Sequence, residues 1–192
     1  MRLAVLLTLS MGAQAGDGKS AEKPIAPLRC LADGRGFFRA RIGGSIKAEL
    51  DWNNDGTECT GDTRPSGGVR MRFSHAFGKA GEQLVFVFGI PSLREGQPDR
   101  NLPVNLTVIR QGAGQFFGTT GDDKCTIDAL NQEAIVGIPH RSRSYRVIAR
   151  GFCMQPAPSI SGKGAVLLTR FDFSGRVDFN EEDDATDVLK AR

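Results

Sequence analysis

The chain has 192 residues, of which 40% are apolar and 24% charged, with 24 glycines. Those proportions sit close to the globular average and exclude a wholly disordered, collagen-like or coiled-coil chain. The 25 basic and 22 acidic residues leave a net charge of +3, too small to point to a nucleic-acid partner.

Met1-Arg2 is a minimal positive start, Leu3 to Met11 is an apolar run, and Ala13-Gln14-Ala15 is a small-residue cleavage pattern. That order is the one a secretory signal requires, so residues 1–15 are read as a signal removed after Ala15. The apolar run falls short of the ~20 residues that span a hydrocarbon core, and no later run approaches that length. The expectation is therefore a periplasmic or extracellular protein without membrane insertion. Residues 16–27 (GDGKSAEKPIAP) carry two prolines and no apolar period, and read as a flexible leader.

The folded unit is expected over residues 28–178. Phe38, Ala40 and Ile42 alternate with arginines, and Ile46, Ala48 and Leu50 resume the alternation after Gly43-Gly44, which predicts two strands joined by a glycine turn. Val69, Met71 and Phe73 alternate with Arg70 and Arg72 in the same way. Gln83 to Ile90 is apolar on both faces and reads as a central strand. Val104 to Arg110 and Gly114 to Thr119 flank a glycine turn and predict a hairpin. Ser144 to Phe152 and Ala165 to Val177 are rich in β-branched and aromatic residues, the second with a bend at Ser174-Gly175. Only Asp128 to Ala134 has a turn of helical character.

This pattern predicts an all-β fold: one disulfide-braced antiparallel β-sandwich, jelly-roll-like or Greek-key, with little helix. Leu84, Phe86, Phe88, Leu106, Val108, Val147, Leu168 and Phe171 are its expected core. Residues 179–192, with Glu181-Glu182-Asp183-Asp184, read as an acidic, solvated tail.

Four cysteines in an exported chain favour two disulfides. Three pairings of Cys30, Cys59, Cys125 and Cys153 exist; the near-equal intervals of 29 and 28 residues favour Cys30 with Cys59 and Cys125 with Cys153. The sharpest motif runs from Asp51 to Asp62 (DWNNDGTECTGD). It follows the D-x-N-x-D-G order of a calcium loop, with Asp51, Asn53, Asp55, Asp62 and the Thr57 carbonyl as candidate ligands. Aspartate replaces the bidentate glutamate at its twelfth position and no helices flank it, so the competing reading is a strand connection.

Catalytic signatures are sparse. Ser74 and His75 are strand neighbours pointing to opposite faces, and no G-x-S-x-G elbow is present. Arg146 and Arg150 share a strand face and could form an anion-binding stripe; Arg70 and Arg72 pose the same question. The outer rings of Phe37-Phe38 and Phe116-Phe117 become candidates for a partner surface if they cluster. The expected function is a non-enzymatic binding or interaction module for a macromolecule or glycan, with calcium as the one candidate cofactor. The alternatives are a secreted hydrolase using carboxylates or a bound metal, and an inhibitor of a secreted enzyme.

Overall fold

The computed structural model describes residues 29–136 and 142–180. The signal, the leader, His140 and the acidic run from Glu181 lie outside those residues. Eleven strands follow one another with no helix among the described residues: β1 (Phe37–Gly44), β2 (Ala48–Asn53), β3 (Glu58–Thr63), β4 (Val69–Ala76), β5 (Gln83–Ile90) and β6 (Leu102–Gln111). Then come β7 (Gln115–Gly118), β8 (Cys125–Ala134), β9 (Ser142–Cys153), β10 (Ala157–Pro158) and β11 (Ala165–Asn180). They form one sheet in the order β2-β1-β11-β3-β4-β5-β6-β8-β9, with β7 on β6 and β10 on β11. The fold is all-β and disulfide-braced, as the alternation predicts.

β11 is the seam of this sheet. Its first half pairs with β1 and its second half with β9, both antiparallel, while Asp178 near its end meets Asp62 of β3 in parallel. Because β9 is also reached through β3, β4, β5, β6 and β8, the ladder closes into a ring and buries its inner face. Closure leaves few free edges, a common solution for antiparallel sheets. The inner face is largely aromatic. Phe38, Phe73, Phe86, Phe88, Phe171 and Phe173 are fully buried, and Phe38 lies 4.6 Å from Phe86 and 5.2 Å from Phe73 between ring centroids. All eight expected core residues are buried. Gly175 is required where β11 crosses this cluster, because a Cβ there would lie 2.8 Å from the Phe73 ring.

Both disulfides have the pairing that the intervals favour, Cys30–Cys59 and Cys125–Cys153. No cysteine among the described residues is free. Two formed disulfides belong to an oxidising, non-cytoplasmic setting.

One expectation is overturned. Asp128 to Ala134 is not helical but lies in β8. A bulge between Ile127 and Ala129 inserts Asp128 as an extra residue, so Ile127 and Leu130 both point inward three positions apart. That spacing imitates a helix in the sequence, although the cause is a local doubling of one strand. The strand β3 also goes unread in the sequence, because its residues Cys59 to Asp62 complete the calcium-loop pattern.

Candidate functional site

The bulge that hides β8 from the sequence also re-aims it. Past Asp128, Ala129 faces outward, opposite Arg150 of β9. Two cross-strand rows then run over the outer face of the ring. One is Asp51, Arg39, Asp172, Arg150 and Ala129 on β2, β1, β11, β9 and β8. The next is Asn53, Phe37, Ser174, Ile148 and Asn131 on the same strands. Between them lies a groove of about 800 Å³, with Phe37, Ala129 and Ile148 exposing apolar surface and Arg100, Arg150 and Asp172 at its rim. Its size is within the range of ligand sites.

One chain segment walls the groove and a second leads into it. The second, residues 29–36, is a strap that enters β1 at Phe37, with Cys30 and Leu31 packed into the core. Asn54, only 6% exposed, holds both ends of that strap: its Oδ1 accepts the N–H of Leu31 at 2.8 Å and of Gly36 at 3.1 Å. The Cys30–Cys59 disulfide fixes the start of the strap to β3. Arg146 is buried and its guanidinium is paired with Glu133 of β8; Arg35 of the strap reaches the same carboxylate at 3.9 Å. Backbone donation from Arg35, assisted by its side chain, holds the Asp33 carboxyl below the usual carboxylate range.

The wall of the groove is the connection from β5 to β6, residues 91–101, which contributes Pro98, Asp99 and Arg100. Eleven residues without a strand of their own would be loose unless tied down. Gln132 of β8 ties them: its Nε2 donates to the carbonyls of Arg94 at 2.7 Å and Gln97 at 2.8 Å, and its Oε1 accepts the N–H of Gly96 at 3.1 Å. Asp99 and Leu130 exchange both backbone hydrogen bonds, 3.0 and 2.9 Å, extending β8 by one pair. Glu95 bridges to Arg143 at 2.8 Å and packs beside Tyr145, where burial first and the Glu95 carboxylate second push the phenol above its ordinary range. Asn101, at the end of this wall, has a φ of 54°, a left-handed conformation that asparagine tolerates better than most residues.

The electrostatics of the groove are uneven. Arg39 is committed to Asp51 at 2.8 Å, a hydrogen bond that raises its pKa, and lies 3.9 Å from Asp172. Arg100 and Arg150 have no ion-pair partner among the described residues, and both are exposed. Beyond Arg150 the groove runs into a second recess of about 550 Å³ that adds Arg170 and Asp128. The surface therefore offers apolar area with guanidinium donors still unspent at its edge.

The residues singled out in the sequence fall in different places. Of the calcium set, Asp55 is 3.2 Å from Arg29, Asp51 is bound by Arg39, and Asp62 lies across from Arg70 in β4. The three carboxylates form no group that could hold a metal ion among the described residues. Asn53 contributes its carbonyl to Thr57 Oγ1 at 2.6 Å, and two residues of this connection are buried: Thr57, fully, and Asn54, which the calcium pattern passes over. Trp52 points inward, 5.1 Å from Phe38, and stacks on His75 at 5.2 Å. Ser74 donates to Glu58 at 3.0 Å, away from His75. Arg146 and Arg150 do share the outer face, but the first is buried and paired with Glu133 while the second borders the groove. The outer ring of the Phe37-Phe38 pair is Phe37, in the groove and 4.7 Å under the Arg39 guanidinium; that of the other pair, Phe116, lies away from it on β7. Ala129 and Ile148 are the floor residues that sequence reasoning misses, since only the bulge and the register bring them together.

No helix among the described residues is long and apolar enough to cross a membrane. No family model matches the chain, and no curated protein or solved structure shows significant similarity to it.

Proposed function

We propose that the protein is an exported, non-enzymatic binding module, its signal removed after Ala15, and that the groove over β8, β9 and β11 receives a peptide segment of a partner protein. The observation that carries this reading is the apolar surface of Phe37, Ala129 and Ile148 beside two guanidiniums, Arg100 and Arg150, that have no ion-pair partner among the described residues. An occupant with an apolar side chain flanked by a carboxylate complements both features. A glycan fits less well, because Phe37 is the one aromatic ring in the groove. Rigidity supports the reading too: the wall formed by residues 91–101 is fixed by the Gln132 side-chain amide of β8, which lowers the ordering cost of binding.

The experiment is selection of random displayed peptides on the immobilised protein. Enriched sequences should combine apolar and acidic residues, and their affinity should fall by about tenfold or more in Ile148→Arg and in Arg150→Glu. Absence of enrichment, or equal binding to both variants, would overturn the reading.

A further inference from the structure

A separate site occupies the outer face of β3 to β6. There, Thr60, Arg72, Val87 and Thr107 lie in one cross-strand row, and Asp62, Arg70, Gly89 and Asn105 in the next. Gly89 leaves a depression in a face otherwise lined by side chains, and a Cβ at that position would lie 3.3 Å from Nη1 of Arg64 and 3.4 Å from Cβ of Asn105. Arg64 is delivered over Gly89 by the turn after β3. Its N–H donates to the Gly68 carbonyl at 3.0 Å, and the Gly67 N–H donates back to its carbonyl at 2.9 Å. Gly68, at φ +70°, lets that turn press against the backbone of Ile90 and Pro91 at the end of β5.

The result is a recess of about 290 Å³ over Gly89 and Val87, bordered by Arg64, Arg70, Asn105, Thr107 and Thr119. Thr119 is spent: its hydroxyl accepts the Leu106 N–H at 3.0 Å and faces the Gly121 carbonyl at 3.3 Å. The side chains of Arg64, Arg70, Asn105 and Thr107 have no hydrogen-bond or ion-pair partner among the described residues. No carboxylate borders the recess. Asp62, the cross-strand neighbour of Arg70, lines the adjoining recess of about 490 Å³ with Thr60, and Arg72 is held at 3.5 Å by Glu58. Donors thus converge on one small volume from three sides: the turn after β3, β4 and β6.

We propose that this recess binds a tetrahedral oxyanion, a phosphate or sulfate group, free or carried as an ester on a small sugar. Two guanidinium forks with an amide and a hydroxyl can meet three or four oxygens at once, whereas a carboxylate offers only two. The absence of a carboxylate from its border removes the repulsion that an anion would otherwise meet. The site is independent of the peptide groove.

Amide NMR of the mature protein, at constant ionic strength with chloride as control, tests it with inorganic phosphate, inorganic sulfate and a monosulfated amino sugar. Saturable shifts should centre on Gly89, Asn105 and Thr107, and affinity should fall by about tenfold or more in Arg70→Gln. Gly89→Ala keeps every charge but fills the floor, and should weaken binding too, while Ile148→Arg leaves it unchanged. Tighter binding of the sulfated sugar than of either free ion assigns a glycan-borne group; equal binding assigns the free anion. Shifts that fail to saturate, that spread over every arginine-bearing face, or that persist in both Arg70→Gln and Gly89→Ala would overturn the proposal.

Discussion

The side-chain carbonyl of Asn54 accepts the backbone N–H of Leu31 at 2.8 Å, and the same oxygen accepts Gly36 at 3.1 Å. One buried amide therefore fixes the two ends of the strap that leads to Phe37 and the groove. Asn54→Ala should destabilise the fold by about 2 to 4 kcal/mol, because two buried N–H groups lose their acceptor. Urea unfolding measures this. Asn54→Asp retains an acceptor and should lose less; a loss under about 0.5 kcal/mol for the alanine variant would show that the strap is held by its disulfide alone.

Gln132 plays the matching part at the groove wall, with three hydrogen bonds to residues 91–101. These bonds are exposed, so Gln132→Ala should change global stability by only about 1 kcal/mol. Local opening is the sensitive readout. Hydrogen exchange at Gly96 should accelerate by about tenfold or more, with the amides of β5 unaffected. Unchanged exchange at Gly96 would mean that the Asp99–Leu130 pair suffices to hold the wall.

Tyr145 is the single tyrosine of the chain, so near-ultraviolet absorbance reports its ionisation alone. Burial, then the Glu95 carboxylate, raises its pKa above the ordinary 10.0. For a phenol with a raised folded pKa, stability is intact below the unfolded value and is lost as pH rises through the folded one. The midpoint should lie above 10.0 and move down in Glu95→Gln without reaching the ordinary value, since burial is the larger cause. A midpoint at or below 10.0 would mean that residues 91–101 do not pack over this ring.

The calcium reading of the Asp51 to Asp62 segment has a direct test. Asp51 and Asp55 are ion-paired with Arg39 and Arg29, which a bound cation would have to displace, and no metal-holding group of three is found among the described residues. Thermal midpoints in EDTA and in millimolar calcium should agree. A calcium-dependent rise of a few degrees, absent from Asp51→Asn/Asp55→Asn, would contradict this and restore the loop as a site.

Much of the fold is legible in the sequence because its inner face is built on two local patterns. Phe38, Met71 and Phe73 sit in a period of two, Phe86 and Phe88 in a run apolar on both faces, and each is fully buried. The cysteine intervals are informative for a related reason: Cys125 and Cys153 face each other directly on adjacent antiparallel strands. The groove is illegible because its floor depends on register between strands far apart in sequence. Ile148 next to Ser174 and Phe37 is a consequence of ladder pairing, which no local pattern encodes. The bulge at Asp128 compounds this by breaking the alternation in the strand that carries Ala129. The Asp51 to Asp62 segment, read along the chain as one loop, spans the end of β2 and most of β3, which take different neighbours in the sheet.

The most direct test of the binding-module account is to titrate a selected acidic, apolar peptide into isotopically labelled protein and map the perturbed amides. Saturable shifts are expected at Phe37, Ala129, Ile148 and Arg150, with Gly89 and Asn105 silent and the map lost in Ile148→Arg. Saturable shifts centred on any other face, with these four amides unmoved, would contradict it.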